Sequence, residues 1–218
     1  EVLDAQIAAG GARFRGIRRG AFWHADPAIP NHRTNPPEGL LLRDDFRSGF
    51  KHLAKRKLSF EVWCAHTQIA DATSLARAFP DTIIILDHLG GPVGIGPYAG
   101  RHDEVFAAWK REIDVLATCP NVMAKLGGLN MEINGYGWHN RAKPPSSTEL
   151  MQANRRYFEH AIDKFGVNRC MFESNFPVDK LSSSYTVLWN SFKRLAKDYS
   201  AAERAALFHD TAARVYRL

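Results

Sequence analysis

Thr82-Ile83-Ile84-Ile85-Leu86-Asp87-His88-Leu89-Gly90-Gly91-Pro92 is the stretch whose reading decides the fold. Four apolar residues run from Ile83 to Leu86, three of them β-branched. They predict a strand buried on both faces, as in a parallel sheet with helices outside it. Asp87 and His88 then fall at the carboxyl end of that strand, where Gly90, Gly91 and Pro92 turn the chain away. Parallel sheets and barrels place their chemistry at that end. The pair is therefore either a site, or a histidine tied to a loop carbonyl beside an aspartate that shapes the turn.

Outward from this strand, four more segments read as strands: Arg13 to Arg18, Leu58 to Cys64, Val122 to Leu126 and Arg169 to Phe172. Amphipathic stretches alternate with them at Asp71 to Phe79, Asp103 to Ala117, Thr148 to Phe165 and Tyr185 to Lys197. Ser146 with Glu149, and Ser200 with Glu203, carry the spacing of capping boxes at helix starts. The alternation predicts βαβ units in one domain over residues 1–218. The strand-to-helix connections are long and lie on one face: Arg19 to Asp44, Leu89 to His102, Gly127 to Ser147 and Glu173 to Ser184. Loops of that length in a compact domain are usually functional, and that face is the catalytic one in a (β/α) barrel.

Composition narrows the partners. The chain has 218 residues, 45% of them hydrophobic, enough for an ordinary core, and a net charge of +6. That charge is dispersed, so nucleic acid is not expected and a small anionic organic molecule is the favoured partner. No segment reaches the roughly 18 unbroken apolar residues of a membrane span, so no membrane partner is expected. Cys64, Cys119 and Cys170 are odd in number, far apart and without CxxC spacing, which points to reduced thiols and a cytoplasmic setting.

Several residues carry candidate chemistry. Arg18 either clamps a substrate carboxylate or pairs with a loop aspartate. Lys125 is a lone charge in the apolar strand Val122-Met123-Ala124-Lys125-Leu126 and needs either a partner or a depressed pKa. Trp63 and His66 end the second strand and are candidate walls of the mouth, although His66 also reads as a helix start. Glu173-Ser174-Asn175-Phe176-Pro177-Val178-Asp179 ends the fifth strand as a polar cluster. The glycine-rich loop from Gly90 to Pro97 matches neither GxGxxG nor a P-loop, and reads as a rigid rim. HxH, HxxxH and HExxH are all absent, so no metal site is expected from these residues alone.

Taken together, Phe14-Arg15-Gly16-Ile17-Arg18, Leu86-Asp87-His88-Leu89-Gly90-Gly91-Pro92, Asn121 to Gly128 and Cys170-Met171-Phe172-Glu173-Ser174-Asn175-Phe176-Pro177 resemble the amidohydrolase-related (amidohydrolase 2) family of TIM-barrel hydrolases, in its lactonase-like branch. The resemblance implies a partial (β/α)8 barrel whose strands correspond to the fourth to the eighth, with the first three absent. It also implies that a missing amino-terminal segment, or a partner copy in a homo-oligomer, completes the barrel, and that this part alone is inactive. The implied activity is hydrolysis of a lactone or similar ester of a small carboxylated compound; a family lyase such as a decarboxylase, or an inactive ligand-binding homologue, are the alternatives. By resemblance His88 and Asn175 are catalytic, with Asp179 as a candidate substitute for the missing carboxylate, and Arg18 and Lys125 bind substrate; Trp63 and His66 join the substrate-binding set by their place at the end of the second strand. Family members often hold zinc or another divalent metal through an HxH pair that nothing here matches, and no cofactor is expected in this chain. Hydrolytic members carry SDWP, whose Asp acts as general base and often as a metal ligand, where this chain has Asn175; an amide cannot take a proton from water near neutral pH.

Overall fold

A computed structural model describes residues 1–218. Five parallel strands, β1 (Gly16–Gly20), β2 (Ser59–Trp63), β3 (Ile84–Leu86), β4 (Val122–Leu126) and β5 (Cys170–Phe172), lie side by side in sequence order. Every neighbouring pair is parallel, with Phe60 beside Ile84 and Ile84 beside Val122. The helices are α1 (Val2–Gly10), α2 (Asp44–Phe50), α3 (Ile69–Ala78), α4 (His102–Leu116), α5 (Ser147–Phe165), α6 (Tyr185–Leu195), α7 (Ala201–Ala205) and α8 (Thr211–Tyr216). The alternating order therefore holds, and none of these helices is long and apolar enough to cross a membrane. Strands β1 and β5 each have a neighbour on one side only, so the sheet is open.

Side chains alternate across each strand. On the helix side Phe60, Val62, Ile84, Leu86, Val122, Ala124, Leu126, Cys170 and Phe172 join a buried apolar cluster of 38 residues that includes Trp109, Phe158 and Phe192. On the other face Ile85, Met123 and Met171 pack against Val215 of α8. Ile84, Ile85 and Leu86 are all buried, as a strand covered on both faces requires, but Ile83, expected in the same buried run, precedes β3 and is 38% exposed. Cys64, Cys119 and Cys170 are free and buried.

Two boundaries differ from the sequence expectation. Strand β1 starts at Gly16, not Arg13, because α1 runs to Gly10 and a single 3-10 turn occupies Gly11–Arg13. Arg18 is therefore mid-strand rather than at its end. Helix α3 starts at Ile69, because the Gln68 side chain accepts from the amides of Ala65 and Trp23 and donates to Ala21 O. That one glutamine ties the loop after β2 to the loop after β1. Both capping boxes form: Ser146 Oγ accepts from Glu149 N while Ser146 N donates to Glu149, and Ser200 and Glu203 repeat the exchange.

Candidate active site

The strand register turns one charged side chain per strand toward the inner face: Arg18 from β1, Glu61 from β2, Lys125 from β4, with Asp87 and Glu173 just past the ends of β3 and β5. Lys125 Nζ lies 3.0 Å from Glu61, 3.1 Å from Asp87 and 3.8 Å from Glu173. Burial opposes the ammonium, but Asp87, Glu173 and Glu61 outweigh it and hold the pKa above its ordinary value. Asp87 is 0% exposed and meets Arg18 Nε at 3.0 Å. Burial pushes its carboxyl up to about 6 against the pull of Lys125. From behind, the Tyr216 hydroxyl donates to Glu61 Oε1 at 2.5 Å. The two cations and three carboxylates thus form one network across the inner face.

His88 is set by the backbone after β3. His88 (φ 53°) and Leu89 (φ 52°) are both left-handed, an arrangement that costs roughly 1–3 kcal/mol per non-glycine residue and persists only where surrounding contacts impose it. The contacts that impose it come from Glu173, whose Oε1 accepts from His88 N at 3.2 Å and lies 2.5 Å from Nδ1. On its far side Nε2 lies 3.2 Å from Arg18 Nη2. A guanidinium only donates, so Nε2 must accept, and the ring's proton sits on Nδ1, facing Glu173. The loop after β4 makes room for this pair. A Cβ on Gly128 would lie 2.3 Å from His88 Nδ1, and one on Gly127 would lie 2.2 Å from Glu173 O.

Above the imidazole lies a cavity of about 650 Å³, whose walls include Arg18, Arg19, Arg33, Trp63, His88 and Asn175. The Trp63 ring stands edge-on to His88, with centroids 4.8 Å apart, and stacks on Phe22. Three guanidinium groups and no carboxylate line this space, so it favours an anion. The structure thus brings Arg18, Trp63, His88 and Asn175 together around one cavity.

The remaining expected site residues fall elsewhere. His66 does not reach the cavity. Beyond β2 the chain turns at Ala65–Gln68, which buries the ring against Tyr98 (5.1 Å) as acceptor of the Val93 amide. Burial, with His24 nearby, lowers its pKa to about 4. The structure thus places it outside this cavity, packed against Tyr98. Lys125 is partnered, not depressed in pKa, and faces its three carboxylates beneath the cavity. Asp179 is 0% exposed and does not line the cavity; it lies behind Asn175, whose Nδ2 donates to Asp179 Oδ1 at 2.9 Å. Burial raises its pKa to about 7, with Asn175 and His88 opposing the rise and Glu173 adding to it.

Sequence reasoning did not single out Glu61, Glu173 or Tyr216. Glu61 carries the signal that marked Lys125, one charge in the apolar run Ser59-Phe60-Glu61-Val62-Trp63. Glu173 was visible only within its polar cluster. Tyr216 has no local signal, because its role depends on where α8 docks.

The family model described as Amidohydrolase (Amidohydro_2) matches residues 1–218. An uncharacterized protein, y4mH, of Sinorhizobium fredii is 42% identical over 207 residues, covering 95% of this chain and 62% of that protein. An L-fucono-1,5-lactonase of Burkholderia multivorans is 31% identical over 175 residues, covering 80% of this chain and 56% of that protein. The chain therefore spans about three fifths of the length of these relatives. An amidohydrolase of Burkholderia multivorans, solved with bound HEPES and with bound zinc, superposes with TM-scores of 0.81 and 0.80 at 28% identity, covering 99% of this chain and 69% of that one. Zinc does not fit the donors present in this chain: no three His, Cys, Asp or Glu side chains are arranged to hold a metal ion, and the three carboxylates that do converge, Glu61, Asp87 and Glu173, already surround the Lys125 ammonium. Both His88 nitrogens are engaged, Asn175 offers an amide, and Asp179 is turned to that amide.

Proposed function

This chain belongs to the amidohydrolase family, and on that premise we propose that it forms the working face of a hydrolase that opens a lactone or similar ester of a small carboxylated compound. Its five strands stand as the fourth to eighth of a (β/α)8 barrel, and the cavity above His88 holds the substrate. One observation carries the reading: at the cavity floor His88 presents an accepting Nε2 beside Arg18, with Glu173 behind Nδ1. This is the base–orienter arrangement of general-base hydrolysis, completed by a cation where negative charge develops. The similarity to a lactonase supports the substrate class, and the three arginines support a carboxylate on it.

In this mechanism the lactone carbonyl oxygen takes up Arg18 Nη2 and so frees Nε2, while Arg19 and Arg33 of the cavity wall hold the substrate carboxylate. The imidazole takes a proton from water as the water oxygen bonds to the lactone carbonyl carbon. Arg18, fixed through Nε by Asp87, offsets the charge on the former carbonyl oxygen. As the intermediate collapses, the ring C–O bond breaks and the imidazolium returns its proton to the departing alkoxide. The product is the open hydroxy acid. Glu173 stabilises the imidazolium between these steps and keeps the ring in one tautomer. Lys125 and Glu61 hold Asp87 and Glu173 in place.

The test is steady-state hydrolysis of a panel of neutral and carboxylated lactones by the full-length protein. His88→Asn should lower kcat by about 10²–10⁴-fold, the range for a positioned base. Arg18→Met should impair neutral and carboxylated lactones alike, and Arg33→Met the carboxylated ones more. Absence of hydrolysis across the panel, or a His88→Asn enzyme with unchanged kcat, would reject the proposal.

A further inference from the structure

Asn175 stands at the cavity wall where an ionisable base would be useful, and it cannot serve as one. Its geometry indicates another use. The residue is left-handed (φ 51°), and its carbonyl accepts from Asp179 N at 3.1 Å, closing one turn from 175 to 179. The side chains meet across the same turn, Nδ2 donating to Asp179 Oδ1 at 2.9 Å. Ionised Asp179 only accepts, so in that state the amide nitrogen faces Asp179 and Oδ1 faces away. No donor of the chain reaches Asn175 Oδ1, and the residue lines the cavity.

We propose that Asp179 is a positioning residue: by holding the amide nitrogen of Asn175 it turns Asn175 Oδ1 into the cavity as a fixed acceptor for the attacking water. The role of the water rests on the hydrolase reading above; the orientation of the amide does not. The supports of Asp179 are themselves tied down. Asn130, beside its carboxyl, accepts from Asn154 Nδ2 at 2.9 Å, and the Ser182 hydroxyl donates to Asn130 O at 2.5 Å. The charged and titratable groups facing it are His88, from the turn after β3, which favours its ionised form, and Glu173, from the end of β5, which opposes it. Protonated Asp179 becomes a donor, and the amide is then free to reverse and offer NH₂ to the cavity. Burial places that exchange near 7.

The experiment follows Asp179 ¹³Cγ and the Asn175 side-chain ¹⁵N–H₂ signals by NMR from pH 5 to 9, with Asn175 assigned by their loss in Asn175→Ala. The two groups should titrate together with one midpoint near 7, and the Asn175 titration should vanish in Asp179→Asn. An Asn175 signal that ignores pH, or one that still titrates in Asp179→Asn under the influence of His88, would overturn the proposal. The wild-type co-titration needs no variant, so poor folding of Asp179→Asn does not spoil it. In the lactone assay Asp179→Asn should lower kcat roughly tenfold with KM nearly unchanged, about one hydrogen bond's effect. Co-titration without hydrolysis upholds the positioning and rejects the reaction; hydrolysis with an Asn175 indifferent to Asp179 rejects the positioning alone.

Discussion

Strand β3 and its neighbours present two faces built on different physics. Outward, Ile84, Leu86, Val122 and Ala124 enter an apolar cluster of 38 residues, where burial is non-directional and each contact is replaceable by a similar one. Inward, the same strands pass from a small apolar patch of Ile85, Met123 and Met171 to a network in which Lys125 serves three carboxylates and Arg18 serves Asp87 and His88. There each group is tolerable only because the others are present. The helix-facing side stabilises the sheet, while the inner face spends stability on holding His88, Arg18 and Asn175 in place.

The sharpest way to break this contrast is to remove the centre of the inner network. Lys125→Ala leaves Glu61, Asp87 and Glu173 without their shared cation and should cost about 3–5 kcal/mol in denaturant unfolding. A loss below about 1 kcal/mol would mean that the network is dispensable to the fold.

Acidity distinguishes the faces next. Asp179 has its carboxyl raised from 3.8 to about 7 in the folded chain, so folding favours its protonated form. Its contribution to stability is full below about pH 4 and is lost as pH rises through 7, at up to about 1.4 kcal/mol per pH unit. Asp87, raised to about 6, loses its share over a lower window, between about 4 and 6. Glu173 runs the other way: His88 and Lys125 overcome its burial and lower its pKa, so its contribution fades as the medium turns acid. Unfolding midpoints between pH 4 and 8 should therefore decline less steeply toward high pH in Asp179→Asn than in wild type. Parallel curves for the two proteins would contradict this assignment.

The smallest effect belongs to the helix side. Ile84→Val trims one methylene from a fully packed position and should cost about 1 kcal/mol. That cost should be the same at every pH and leave any lactone hydrolysis unchanged. A pH-dependent cost at Ile84 would show that the two faces are coupled.

Much of the fold was legible because it is local. The apolar run at Ile83 to Leu86, the alternating helices and both capping boxes depend on neighbours within a few residues, and the structure reproduces them within about two residues. Part of the site was legible for the same reason: Asp87 and His88 end a strand, and Lys125 is a lone charge inside one. His66 shows the limit of that reasoning. It follows Trp63 by three positions, yet a turn at Ala65–Gln68 buries it under the Val93 loop while Trp63 stays against His88.

By itself, then, the sequence determined the parallel α/β order, the loops that carry chemistry and the residue types available there, because periodicity, capping and turn formation act over short range. Tertiary structure alone decided which of those residues meet. Glu61 finds Lys125 across two strands, Glu173 finds His88 across 85 positions, and Tyr216 reaches Glu61 across 155. It also decided which nitrogen of His88 accepts and which end of the Asn175 amide faces the cavity. Those properties belong to pairs brought together by strand register and helix docking, and no pattern confined to one segment encodes them.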